Sequence, residues 1–316
     1  MRGTIEVVDP SAPVAPVKAR PAGRLDRLRQ DEWVIGQLDG GGLVNGLADL
    51  LHIGRQIDVD WFDNPLEGSF LADPFPLGDD GLLCEEFRYA QARGVLVRHR
   101  LEGGRLVDRT VISAGAAHAS YPFVVQHADG TFVLPERSAR GGVHLTSIEG
   151  GALVDQHCLV PSVGALDPTV FRHGDRWWLF FSERAGGPMG RRLDIWSSDS
   201  LTEGWQQHPR SPIVGAPTLR PAGSVFEVDG RLYRPAQDCT RTYGGRILLY
   251  EIEELSATDF SERPVAALQL VGGPYTEGIH TLGIGNGRIL VDGKRRRFRA
   301  DALAGRVRRR LTNRRR

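Results

Sequence analysis

The sequence predicts an all-β chain, a five-bladed β-propeller whose last blade is closed by strands from the N-terminal side. Three observations predict it. One strand–turn–strand unit recurs along the chain, its copies stand 46 to 58 residues apart, and almost no segment has helical periodicity. That spacing fits a four-stranded blade and is too long for a solenoid coil.

Residues 1–23 are rich in Pro and Ala and read as a flexible arm. Residues 24–293 are the expected propeller, with Leu43–Leu51 the one fair helix candidate. The repeats follow. Asp73-Pro74-Phe75 leads to Gly81–Glu86, and Tyr121-Pro122-Phe123 leads through Asp129-Gly130 to Thr131–Glu136. Asp167-Pro168-Thr169 leads through Gly174-Asp175 to Arg176–Glu183, and Arg220-Pro221-Ala222 through Asp229-Gly230 to Arg231–Asp238. A fainter fifth copy runs from Gly278-Ile279-His280 through Asn286-Gly287 to Val291. Asp-Gly and Asn-Gly between apolar runs are hairpin turns, because such turns need positive φ and these residues adopt it cheaply. Little follows the fifth hairpin, so its outer strands are expected from Trp33–Gly36 and Ile57–Trp61.

Residues 294–316 read as a basic tail, disordered or with a short helix near Ala300–Arg310. They hold 12 of the 40 Lys and Arg residues and one of the 39 Asp and Glu. The remainder is therefore acidic. That balance argues against specific nucleic-acid binding, while the tail offers contact to an anionic surface. Three well-separated cysteines, Cys84, Cys158 and Cys239, suggest reduced thiols and a cytoplasmic protein. No run of about 18 apolar residues is present, so no transmembrane segment is expected.

Strand-opening residues of a propeller gather at one mouth of the central channel, and each hairpin returns its second strand to the same mouth. The openers are Asp73, Tyr121, Asp167, Arg220 and the Glu277–His280 stretch. The second strands end at Glu85-Glu86, Glu136, Glu183 and Gln237-Asp238. This register predicts a deep acidic pocket around Asp73 and Asp167, with Glu136, Glu183 and Asp238 around it and Arg220 as counter-charge. Close carboxyl groups in a narrow channel titrate apart and can divide acid and base roles. His280 is a candidate proton donor, and Tyr121, Glu183, Arg220, Asp238 and Glu277 are candidate substrate contacts. His127, His144, His157 and His173 lack metal-ligand spacing, so no metal is expected. No phosphate-binding or dinucleotide-binding glycine loop occurs, so no cofactor is expected.

The Asp73-Pro-Phe, Ser120-Tyr-Pro-Phe-Val, Asp167-Pro-Thr-Val-Phe and Leu232-Tyr-Arg-Pro-Ala-Gln-Asp motifs, with Tyr243-Gly-Gly, resemble a known family over roughly residues 30–293. It is the N-terminal domain family of glucosamine inositolphosphorylceramide transferase, which also occurs as a stand-alone bacterial protein. That domain is similar to five-bladed propeller glycosidases of the arabinanase and β-xylosidase type. The resemblance implies that Asp73 is the general base and that Asp167 tunes and orients. Those glycosidases open the fourth blade with a glutamic acid as general acid; here the position holds Arg220, so Glu136, Glu277 or His280 would have to act instead.

The expectation is a carbohydrate-active protein working on a small-molecule or glycan substrate in polysaccharide, glycolipid or natural-product biosynthesis. Two alternatives stay open. One is a non-catalytic sugar-binding scaffold beside a glycosyltransferase or sugar-modifying partner, and the other is a propeller recruited for non-hydrolytic chemistry on a small molecule.

Overall fold

A computed structural model describes residues 1–14, 29–39, 43–64, 66–113, 115, 117–184 and 192–298. Strands dominate it. The first, β1 (Arg2–Val8), alternates exposed and buried residues, with Gly3, Ile5 and Val7 inward. Residues 2–8 are therefore not the loose arm that the Pro and Ala content suggested, because an alternating apolar face makes a strand wherever a partner edge is free. Next come β2 (Arg29–Leu38), a short helix α1 (Leu43–Asp49) where one was expected, and β3 (Gln56–Trp61).

Three antiparallel sheets then follow in chain order. The first is β4 (Ser69–Leu77), β5 (Gly81–Arg88), β6 (Arg93–Glu102) and β7 (Arg105–Val111). The second is β8 (Ser120–His127), β9 (Gly130–Glu136), β10 (Val143–Glu149) and β11 (Ala152–Val160). The third is β12 (Ala165–His173), β13 (Arg176–Glu183), β14 (Arg192–Ser198) and β15 (Gln206–Gln207), with β16 (Ile213–Val214) also on β14.

The fourth meander is β17 (Phe226–Val228), β18 (Arg231–Asp238), β19 (Arg246–Leu255) and β20 (Phe260–Gly272). The fifth begins with β21 (Leu282–Gly285) and β22 (Arg288–Phe298) and is completed by β2 and β3. Trp33 pairs with Lys294 and Gly36 with Val291, so the strands expected to close the last repeat do so. The chain is an all-β propeller. Its strands lie in four sheets because β1, paired to β20 on one side and to β3 on the other, joins the last two meanders into nine strands.

Two of the turns are as read, while at the second hairpin the loop residues are 128 and 129 and Gly130 already pairs with His127. Asp229-Gly230 and Asn286-Gly287 have φ values of 51° and 73°, and 47° and 72°, the left-handed pair of a two-residue hairpin. Core side chains alternate along the strands. Trp177 and Phe181 pack into the cluster shared with the second sheet, while Trp178 and Phe180 pack with Leu232, Ile252 and Phe260 of the fourth meander.

The basic segment also begins inside the fold. Lys294 is buried in β22, and Arg295 and Arg296 pair with Glu32 and Asp31 on β2. Residues 299–316, including the suggested helix, lie outside the described residues, as do residues 15–23 of the arm. Among the described residues no helix is long and apolar enough to cross a membrane.

Candidate active site

Three inner strands share one irregularity. Pairing shifts between Ala72 and Phe75, between Ser120 and Phe123, and between Leu166 and Thr169. In each case an X-Pro pair opposes a single residue, which is a β-bulge. Proline fits there because it has no N–H to give a ladder. The leading residue is left-handed: Asp73 at φ 53°, Tyr121 at 46° and Asp167 at 50°. Aspartate tolerates that region better than tyrosine, and such strain concentrates where a fold positions functional groups.

The turned-out backbone N–H groups bind carboxylates of neighbouring meanders. Tyr121 N–H donates to Asp73 Oδ2, Asp167 N–H to Glu136 Oε2 and Asp73 N–H to Asp292 Oδ2, each at 3.1 Å. Asp73 Oδ1 accepts the Thr281 hydroxyl at 2.7 Å. Asp292 accepts the His280 and Thr281 amides at 2.9 and 3.1 Å, and its Oδ2 lies 2.6 Å from His280 Nδ1. Arg220 grips Asp167 through Nε and Nη2, and Gln237 Nε2 donates to the same carboxylate at 2.7 Å. Arg220 Nη2 also stands 3.5 Å from Glu136 Oε2.

An aromatic group closes over these acids. Trp33 stacks on His280 with ring centres 3.9 Å apart, and Tyr243 meets both edge-on. Lys294 sits 5.2 Å from the Trp33 ring centre and donates to the Tyr243 carbonyl, fixing that loop. A cavity of about 520 Å³ opens here. Asp73, Glu85, Glu136, Arg220 and His280 line it together with Trp33, Phe70, Phe87 and Tyr243. A few convergent polar groups on an aromatic wall are the usual make-up of a small-molecule pocket. A second cavity of about 590 Å³, beside Tyr275 and Arg295, contains none of the predicted residues.

Burial pushes Asp73 up to about 6; His280 opposes the shift, and Asp167 and Asp292 add to it. Burial and then the Asp167 charge push Glu136 up to about 8 against the pull of Arg220. Burial also raises Glu85 well above the carboxylate range. For His280, burial favours the neutral ring, but the Asp292, Asp73 and Asp167 carboxylates together outweigh it and the pKa rises.

Of the predicted residues, Asp73, Glu136, Arg220 and His280 line the cavity. Asp167 and Tyr121 are buried outside its lining: Asp167 anchors Arg220, and the Tyr121 hydroxyl is 2.8 Å from Thr169 Oγ1. Glu183, Asp238 and Glu277 do not line it, contrary to expectation. Glu183 pairs with Arg192 at 2.8 Å, Asp238 pairs with Arg246 at 2.8 Å, and the Glu277 amide donates to the Lys294 carbonyl. Sequence reasoning missed Trp33 and Asp292 as site residues, named Tyr243 only within a polar loop open to ligand contact or a plain turn, and noted Glu85 only as a strand end. Asp292 directly follows the Val291 that closes the fifth repeat, so extending that repeat by one residue would have found it.

One set of atoms could converge on a metal where none was expected: Asp73, His280 and Asp292 each place a ligand atom within 4.8 Å of the others. Asp292, however, already serves three backbone amides and the His280 ring. A carboxylate has about four acceptor positions. A cation would have to displace bonds that tie the first meander to the fifth.

Residues 102–271, more than half of the chain, match the family described as glucosamine inositolphosphorylceramide transferase 1, N-terminal. The chain belongs to this family. Within it, glucosamine inositolphosphorylceramide transferase 1 of Oryza sativa subsp. japonica is 31% identical over 217 residues, which cover 64% of this chain and 29% of the rice protein. The Arabidopsis thaliana protein of the same name is 29% identical over 211 residues, covering 62% and 27%. The chain thus spans less than a third of these relatives. Among solved structures, an exo-β-1,3-galactanase from Clostridium thermocellum aligns with a TM-score of 0.47 at 14% identity, over 72% of this chain and 53% of the galactanase. The α-L-arabinanase of Cellvibrio cellulosa aligns with a TM-score of 0.41 at 12% identity, over 61% and 77%.

Proposed function

We propose that this family member binds a glycoside or sugar-containing metabolite in the Asp73–Glu136 cavity and acts on its glycosidic bond. The observation that carries the reading is that two of the three buried carboxyl groups in one aromatic-walled cavity, Asp73 and Glu136, lie in surroundings that separate their proton affinities. Such a pair supplies one acid and one base near neutral pH. Glu136, protonated below about 8, gives its proton to the departing glycosidic oxygen. Asp73, ionised above about 6, takes the proton of the water or acceptor hydroxyl that attacks the anomeric carbon. One bond to that carbon breaks as another forms, leaving Glu136 ionised and Asp73 protonated until proton exchange with solvent restores both. Glu136 thereby fills the place that Arg220 leaves open. Asp167 orients Arg220 and holds the Glu136 proton in place.

A second reading is a sugar-presenting module without turnover, alongside a glycosyltransferase. It is favoured by the Arg220–Asp167 pair at the position of the missing acid, and by relatives named as transferases that extend well beyond this chain. On either reading we count the joined sheet as blades four and five. Three unpaired cysteines favour a reducing, cytoplasmic setting.

The test is a panel of methyl and 4-nitrophenyl glycosides, assayed for both binding and turnover. On the enzymatic reading Asp73→Asn lowers kcat by about 100-fold or more and leaves the dissociation constant within about threefold. A sugar that binds the intact protein without being turned over leaves the second reading standing. No binding by any sugar removes both.

A further inference from the structure

The floor of the cavity is acidic and its lip is basic. Asp73, Glu85 and Glu136 are buried, whereas Arg184 and His118, which line the same cavity, are exposed. Arg184 directly follows β13. Its backbone N–H donates to the Gly164 carbonyl at 2.8 Å, and its Nη1 donates to the Ser138 hydroxyl at 3.2 Å. Ser138, on the neighbouring sheet, lines the cavity too.

That neutral hydroxyl is the one side-chain partner of Arg184 among the described residues. The acids on the strands around it are engaged elsewhere. Glu183 pairs with Arg192, Glu136 accepts the Asp167 amide and faces Arg220, and Asp155 bridges Arg137 and Arg140. Residues 185–191, which follow Arg184 in the chain, include no Asp or Glu. A guanidinium carries five N–H donors in a fixed fork, and Ser138 takes one of them. A solvated arginine on an open surface calls for no explanation, but this one lines a cavity. Its field also reaches across the lip: after burial, Arg184 and Arg220 both lower the His118 pKa.

We propose that Arg184, together with the Ser138 hydroxyl, forms a subsite for an anionic group on the sugar, a carboxylate or a phosphate. Either group offers two oxygens to the guanidinium fork, and Ser138 keeps its own proton to donate. The charged oxygens rest at the exposed lip, away from the buried carboxyls at which the glycosidic bond is broken. The inference rests on the sugar-binding reading above and narrows it to acidic sugars.

The experiment compares Arg184→Met and Arg184→Lys with the unaltered protein. The probes are methyl glycosides of glucose and galactose, their uronic acid counterparts and their 6-phosphates, measured by calorimetry at low and high salt. Arg184 is exposed, so both variants should melt with the parent. The parent should bind a charged glycoside about tenfold more tightly than its neutral counterpart. Comparing the uronic acids with the 6-phosphates tells which anion the subsite takes. Arg184→Met should lose that advantage, and Arg184→Lys, which keeps the charge without the fork, should retain part of it. Salt should shrink the advantage in the parent. The His118 ring, followed by NMR, should titrate at higher pH in Arg184→Met, and also in the parent once the charged sugar is bound.

Charged and neutral glycosides bound alike by the parent overturn the subsite. So does an advantage that survives Arg184→Met, or a loss in that variant that is equal for charged and neutral sugars. If the parent binds no glycoside of the panel, charged or neutral, the sugar-binding reading falls and takes the subsite with it.

Discussion

Asp73 and Glu136 differ in the charges and donors that surround them, and their separate tasks follow from that difference. Raised to about 6 and about 8, they predict a bell-shaped rate profile. Turnover should climb as pH passes about 6 and Asp73 ionises, then fall past about 8 as Glu136 loses its proton. Replacing Glu136 by Gln should abolish the alkaline limb. It should also cost methyl glycosides about tenfold more than 4-nitrophenyl glycosides, since a nitrophenolate departs without proton donation. The same shifts bear on stability. Glu136 has an ordinary value of 4.5 and a folded value of about 8, so between these pH values the folded state binds the extra proton. Its contribution is therefore complete below about 4.5 and is lost as pH rises through about 8. Melting temperatures of the parent should decline across that window, and those of Glu136→Gln should decline less.

Register within the hairpins decides which acids reach the cavity, and register is where the sequence reading ran out. The repeats, most of their turns, the short helix and the borrowed strands of the last meander were all legible, because each rests on local pattern. Asp73, Glu136, Arg220 and His280 do line one cavity, but the pocket was expected around Asp73 and Asp167, and Asp167 lies outside its lining, turned to Arg220. What pattern could not show was the bulge at each X-Pro, which moves the pairing by one residue without changing the strand's appearance. Counted from the paired residues Leu83, Leu134 and Phe180, the second position along is Glu85, Glu136 and Ser182. Gln237 stands at the same step after Pro235, whose carbonyl accepts the Ala222 amide. Glu183 and Asp238 lie one residue further, and successive side chains of a strand face opposite ways. Glu183→Gln should accordingly leave turnover within about twofold. Asp238→Asn should act on stability, lowering it by about 1–3 kcal/mol through the buried Arg246 pair in chemical denaturation. Trp33 was missed for a different reason. It was read as part of a closing strand, and only the closed ring brings its face onto His280.

Across the whole molecule, β1 is the piece that makes the fourth and fifth meanders one sheet. Deleting residues 1–9 should expose the edges of β20 and β3 together and remove Ile5 and Val7 from the core. Two bare edges invite pairing between chains. The shortened protein should therefore run as oligomers in size-exclusion chromatography and melt earlier than the parent. There is a consequence for biosynthesis. Thr4 finds its partner Gly272 only after nearly the whole ring has left the ribosome. At about 5–20 residues per second that delay is on the order of tens of seconds. β3 can cover one edge of β1 early, but throughout that delay the edge that meets β20 stands without its partner, so a cell making this protein has reason to shelter that edge until the closing strands emerge.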